Sequence, residues 1–171
     1  MLRKVKVENG VLEGLPGGNS RITVFKGIPF AAPPVADNRW RAPQPCENWE
    51  GVKKAFQFGP ISVQDTPGLG TDIYSREWHV DSEIPMNEDC LYLNVYTPAK
   101  EENEKLPVIV WYFGGAYQWG YPCEMEFDGE QLAKKGVILV TVNYRLNVFG
   151  FLTCSELLEK QLLMLLEILD F

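Results

Sequence analysis

The chain has 171 residues, 46% of them hydrophobic, with 16 basic against 23 acidic side chains. That length suits one domain of roughly 100–200 residues with enough apolar content for a core, and an aromatic share of 12% excludes a disordered chain. The net charge of −7 argues against nucleic acid and against a polybasic membrane anchor, because both need clustered Lys and Arg, and no apolar stretch approaches the ~20 residues that span a bilayer.

Met1 to Glu8 carries positive charge but no apolar run follows it, so a secretory signal is not expected. Residues 3–25 read as a β-meander: Val5, Val7, Val11, Leu12, Ile22, Val24 and Phe25 are strand formers, Asn9-Gly10 is a hairpin turn, and Pro16 to Ser20 is a second turn. Residues 26–87 are rich in Pro and Gly without sustained periodicity, a long irregular segment of the kind that is usually functional. Regular structure returns at Cys90–Thr97, where Leu91, Leu93 and Val95 alternate with Tyr92, Asn94 and Tyr96. Pro107–Phe113 is a continuous apolar run, expected as a strand buried on both faces. Gly114-Gly115 stops it, Asp128–Lys135 reads as a short helix capped by Gly136, and Val137–Asn143 is a second buried strand. Strand, helix and strand over 107–143 make a crossover, so those two strands should be parallel. The fold class that follows is α/β: an antiparallel meander leading into a mixed, mostly parallel sheet.

From Glu156 to Phe171 the character changes. Seven leucines fall there, and every Gly and Pro of the chain lies before Phe151. An amphipathic helix is expected, with Leu158, Leu162, Leu165, Leu166 and Leu169 near one face.

Cys46, Cys90, Cys123 and Cys154 are widely spaced, with no Cys-x-x-Cys pair and with the one histidine, His79, away from any cysteine cluster. A zinc site is not expected. Free thiols in a cytoplasmic protein are the simplest reading, and spacing alone leaves two disulfides open.

The stretch that carries chemistry is Trp111-Tyr-Phe-Gly-Gly-Ala-Tyr117. Glycines at the end of a buried strand let the backbone approach a ligand and leave amide N–H groups free to donate. Two readings are open on these residues alone: a tight turn with no further role, or donors aimed at one point to form an oxyanion hole.

The surrounding blocks resemble the type-B carboxylesterase and cholinesterase family of α/β-hydrolases. Phe25-Lys-Gly-Ile-Pro-Phe-Ala-Ala-Pro-Pro-Val35 with Arg39-Trp40 and Pro43-Gln-Pro45 is similar to the first family signature, and Asn87-Glu-Asp-Cys-Leu-Tyr-Leu-Asn-Val95 to the second. Pro107 to Gly120 resembles the oxyanion segment, and Val140–Leu146 with Phe149–Leu152 the stretch after it. The resemblance implies an N-terminal part of a carboxylesterase domain over 1–152 and a divergent, Leu-rich tail over 153–171. It implies oxyanion N–H groups from Gly115 and Ala116, turn support from Gly114, pocket residues Phe113, Tyr117 and Trp119 together with Tyr121, and a structural ion pair of Arg39 with Glu88. Arg145 matches a second structural arginine. The implied substrate is a small-molecule ester, with no metal or organic cofactor.

Departures from the family pattern carry their own expectations. Phe113 and Ala116 replace the usual His or Tyr and the third Gly; Ala116 keeps its N–H, but its methyl group narrows the acyl side or disfavours a backbone angle suited to Gly. Secreted members pair the cysteine matching Cys90 with one upstream, and Ser62 stands at that upstream position. Ester hydrolysis on this fold needs a serine in Gly-x-Ser-x-Gly, then an acid and a histidine. None of Ser20, Ser62, Ser75, Ser82 and Ser155 sits in such an elbow, and His79 precedes the oxyanion strand. The chain is therefore expected to stop before its own nucleophile, as a truncated or frame-shifted reading would, and to be inactive alone. A cholinesterase-like binding module without catalysis and a non-functional gene remnant are the alternatives. An unpaired sheet edge is expected beside Val108–Trp111, to be covered by the tail or to drive self-association through that edge or the leucines.

Overall fold

The structure is a computed structural model and describes residues 1–65 and 84–157. Strands β1 (Lys4–Val7) and β2 (Gly10–Glu13) form an antiparallel hairpin in which Val7 faces Gly10. Glu8 and Asn9 are thus its two loop residues, one position earlier than the expected Asn9-Gly10 turn, and Gly10 opens β2. The outer edge of β2 then takes β5 (Val52–Lys54) in parallel, giving a small three-stranded sheet.

The main sheet holds five strands. They are β3 (Leu15–Pro16), β4 (Thr23–Pro29), β6 (Tyr92–Thr97), β8 (Ile138–Val142) and β7 (Val108–Tyr112), in that spatial order. The segment read as one meander is therefore divided between two sheets. Arg3 ties the two together: its guanidinium donates to the carbonyls of Leu15 (3.2 Å), Ile22 (2.8 Å) and Ser20 (2.6 Å) and to the Thr23 hydroxyl (2.8 Å).

The crossover is as expected. β7 and β8 are parallel, joined through α1 (Glu130–Ala133). The helix is shorter than the acid-to-lysine pattern suggests, because Lys135 and Gly136 donate to Leu132 and Ala133 in tighter three-residue turns. The sheet is mixed, and among the described residues β7/β8 is its one parallel pair; β3/β4, β4/β6 and β6/β8 are antiparallel.

Apolar side chains cover both faces of β4 and β6. Ile22, Val24, Tyr96, Ala133 and Leu139 pack on one side. Leu12, Phe25 and Ala55 pack on the other, with Val95, Ile28 and Trp49 against them. β6 keeps its expected period, yet Asn94 is among its buried residues. A buried amide is tolerated when its hydrogen bonds are made. Asn94 accepts from the Gly27 amide (2.9 Å) and donates to the Thr141 hydroxyl (3.1 Å). Gly27 lies in a register shift between Phe25 and Ile28, with φ +66° and a Cβ position 2.4 Å from the Gln57 carbonyl oxygen, so a side chain has no room there.

β7 is the unpaired edge expected beside Val108–Trp111, and it departs from the reading of that run as buried on both faces. All five of its residues are between 41% and 63% exposed, where the unbroken apolar run reads as buried. The cause is position: β7 ends the order of described strands and pairs with β8 alone. The Trp111 ring lies against the Phe127 ring, centroids 5.4 Å apart. His79, Ser75 and Ser82, and the helical reading beyond Leu157, lie outside the described residues.

Candidate active site

Past Tyr112 the chain leaves the sheet in a tight loop. Gly115 has φ +146°, and its carbonyl accepts from both Gln118 (2.9 Å) and Trp119 (3.0 Å). A Cβ on Gly115 would lie 2.0 Å from the Trp119 carbonyl oxygen, so the loop closes only around glycine. Gly114 makes no such demand, with nothing within 4 Å of its Cβ position. Ala116 (φ +53°) and Tyr117 (φ +63°) follow in the left-handed region, which costs a non-glycine residue roughly 1–2 kcal/mol.

This geometry uses the carbonyl of Gly115 to close the turn and leaves amides before Gln118 unengaged. Among the described residues, no acceptor meets the amides of Gly115 and Ala116. Phe113 is buried beneath the loop and stacked on Tyr144 at 4.4 Å, so it supports the loop instead of lining its open side. The Tyr144 hydroxyl also donates to the Phe113 carbonyl (2.5 Å). Tyr117 and Trp119 are exposed, and Tyr117 touches Phe151 of α2 (Asn147–Phe151) at 4.4 Å.

Two supports escaped sequence reasoning. Gln64 is buried and clamps Gly120 from both sides, donating to its carbonyl (3.0 Å) and accepting from its amide (2.9 Å). Asn147 reaches the middle of the loop: its backbone amide donates to the Tyr117 carbonyl (2.9 Å), and its side chain to those of Gln118 (3.2 Å) and Val63 (3.2 Å). A glutamine two positions after Ser62, and an asparagine opening the helix after Leu146, are signals only once their partners are known. A cavity of about 250 Å³ opens elsewhere, between the Leu15–Gly18 segment, Tyr96 and Cys123, and shares no residue with this loop.

Arg39 and Glu88 meet as a bidentate pair, Nε to Oε2 at 2.5 Å and Nη2 to Oε1 at 2.7 Å. The hydrogen bond and the charge of Glu88 hold the Arg39 guanidinium above its usual range. Arg145 donates to the Arg41 carbonyl (2.9 Å), and burial lowers its pKa. Ser62 is buried beside Cys90, and its hydroxyl oxygen accepts from the Leu146 amide (2.9 Å). Burial pushes the Cys90 thiol up to about 11.

That contact makes a prediction. A Ser62→Cys variant is expected to bond to Cys90 on oxidation and to gain ~3.6 kcal/mol over its reduced form, the loop-closure value for a ring of this size. Thiol titration and urea unfolding with and without reductant check it; two persistent free thiols would show that the side chains do not meet.

The comparisons with known proteins bear on the same stretch. A sequence profile described as the carboxylesterase family matches residues 2–159. The chain belongs to the carboxylesterase family. The fold agrees: a solved para-nitrobenzyl (PNB) esterase superposes with a TM-score of 0.77 at 39% identity, over 91% of this chain and 30% of that one. A Geobacillus stearothermophilus carboxylesterase gives 0.73 at 38% identity, over 88% and 28%. The architecture is thus that of the α/β-hydrolases, in partial form. Among curated relatives, the para-nitrobenzyl esterase of Bacillus subtilis is 44% identical over 137 residues, 79% of this chain and 26% of that protein. The fumonisin B1 esterase of Sphingopyxis macrogoltabida is 38% identical over 153 residues, 90% and 26%. The chain therefore spans about a quarter of the length of these carboxylesterases.

Proposed function

We propose that this chain supplies the oxyanion hole and part of the pocket wall of a serine carboxylic ester hydrolase and is inactive alone. The observation that carries the reading is the pair of unengaged amides at Gly115 and Ala116, just past the end of β7. When a serine oxygen adds to an ester carbonyl, the carbonyl oxygen becomes negative, and two fixed N–H donors stabilise it; losing one such donor typically costs ~10²–10³ in rate. Tyr117 and Trp119, exposed beside the donors, give the substrate apolar surface. Gly114, with no neighbour over it, leaves room for the substrate to approach. The attacking serine, its histidine and its acid are not contributed by these 171 residues, none of whose serines lies in Gly-x-Ser-x-Gly.

The same reading has the chain cytoplasmic, supported by Ser62 facing Cys90 where a disulfide partner would stand. It has no nucleic-acid or membrane partner, in keeping with the net charge of −7. Self-association through the exposed β7 edge accompanies it, because an apolar edge strand is a template for pairing.

The test joins residues 1–152 to the remainder of the Bacillus subtilis para-nitrobenzyl esterase and follows p-nitrophenyl ester hydrolysis. Turnover by the folded chimera is expected, together with none by the 171-residue chain. A folded but inactive chimera overturns the oxyanion reading. Organophosphate-sensitive turnover by the chain alone overturns its assignment as inactive.

A further inference from the structure

We propose that Asn147 is the positioning residue of the Gly114–Gly120 loop, holding Ala116 and Tyr117 in the left-handed conformation that accompanies the unengaged amides of Gly115 and Ala116. The inference rests on the oxyanion reading for its purpose, but on hydrogen bonds alone for its geometry.

Ala116 and Tyr117 are consecutive non-glycine residues at φ +53° and +63°. Such a pair does not persist unless its surroundings over-determine it. Within the loop, the Gly115 carbonyl binds Gln118 and Trp119, closing the turn without fixing the two strained residues to the rest of the fold. Asn147 does that. Its backbone amide holds the Tyr117 carbonyl at 2.9 Å, and its side-chain amide bridges Gln118 of the loop and Val63 of the segment beneath, each at 3.2 Å.

The brace is itself firmly seated. Asn147 sits at φ +53°, which asparagine adopts more readily than other side-chain-bearing residues. The preceding Leu146 is fully buried, with its amide on the Ser62 hydroxyl at 2.9 Å. The residue type thus serves two needs at one position. It tolerates the left-handed turn that starts α2, and its side-chain amide has one donor for the loop and one for Val63 beneath it.

Amide hydrogen exchange on the full chain tests this without needing catalysis. Asn147→Gly keeps the backbone angle and removes the side chain. Exchange at Gln118 and Trp119 is expected to rise at least ~tenfold, about the effect of one lost hydrogen bond, with exchange in β6 and β8 unchanged. The same substitution made together with Ala116→Gly is expected to produce a smaller rise, since the strain that the brace holds has been relieved; a residue serving only the start of α2 would give additive effects. Unchanged exchange in the loop overturns the proposal, and so does additivity. If the strands also lose protection, Asn147→Asp, which keeps the backbone preference and removes the donors, decides: loop-confined acceleration supports positioning, and global loss overturns it in favour of a folding role. These outcomes are independent of esterase activity, so failure of either reading is seen separately.

Discussion

Gly115→Ala is expected to lower the unfolding free energy by more than ~3 kcal/mol, a drop in Tm of roughly 6–12 °C for a chain of this size. Two costs fall on the same atom. The φ of +146° is open to glycine and strained for any side chain. The new Cβ would also sit 2.0 Å from the Trp119 carbonyl oxygen and 2.7 Å from its carbon. Both are backbone atoms, so no rotamer change relieves the overlap. Nor can the loop swing away cheaply, because the Trp119 amide is bound to Gly115 at 3.0 Å and the Gly120 amide to Gln64 at 2.9 Å. Gly114→Ala is the control: with open space at its Cβ position, it should change stability by no more than ~0.5 kcal/mol. Thermal unfolding of the two variants side by side checks the pair. Equal, small effects would mean that the loop does not close as described.

The second large effect is alkaline loss of stability. Burial raises the Cys90 thiol from its ordinary 9.0 to about 11. The thiol is neutral when protonated, so the unfolded chain gives up this proton first as pH rises. Stability is full below the unfolded value and is lost progressively between about pH 9 and 11, by ~3 kcal/mol for this group. Cys123, also raised to about 11 by burial, adds to the loss in the same window. Burial raises Tyr92 to about 12 and Tyr96 further, which extends the decline above it. Urea unfolding at pH 8, 9.5 and 11 measures the slope. Cys90→Ser, which removes the buried thiol and keeps a small polar group beside Ser62, should flatten it; an unchanged slope would place the titration elsewhere.

What could be read from the letters was what is decided locally. The Asn9-Gly10 hairpin, the β7–α1–β8 crossover and the period of β6 depend on neighbours a few residues apart, and each formed. The family blocks identified the carboxylesterase fold for the same reason, as runs of adjacent residues. Features set by distant partners were not legible. Nothing near Leu12 announces that β2 will pair with Val52–Lys54 instead of continuing a meander. The apolar run of β7 by itself records what a strand can bury and so read as buried; its exposure as an edge was legible only through the family resemblance. Asn94 is polar and inside because Gly27 and Thr141 converge on it from other strands. At the loop, the glycines drew attention to the donors, while Gln64 and Asn147, which hold them, lie 56 residues before Gly120 and 29 after Gln118.

Several fastenings of this molecule join residues about a hundred positions apart. The Glu130 carboxylate receives the amides of Gly18 and Asn19, across 112 and 111 residues. The Trp40 indole donates to Val148 over 108, and Arg145 to Arg41 over 104. β4, made early, pairs with β6 some seventy residues later. On the ribosome, then, the β6-facing edge of β4 stays unpaired until synthesis has passed Thr97, and Gly18 and Asn19 wait for Glu130. Closing such wide loops before any contact rewards them makes this a slow folder, and that waiting interval is when it most needs a chaperone.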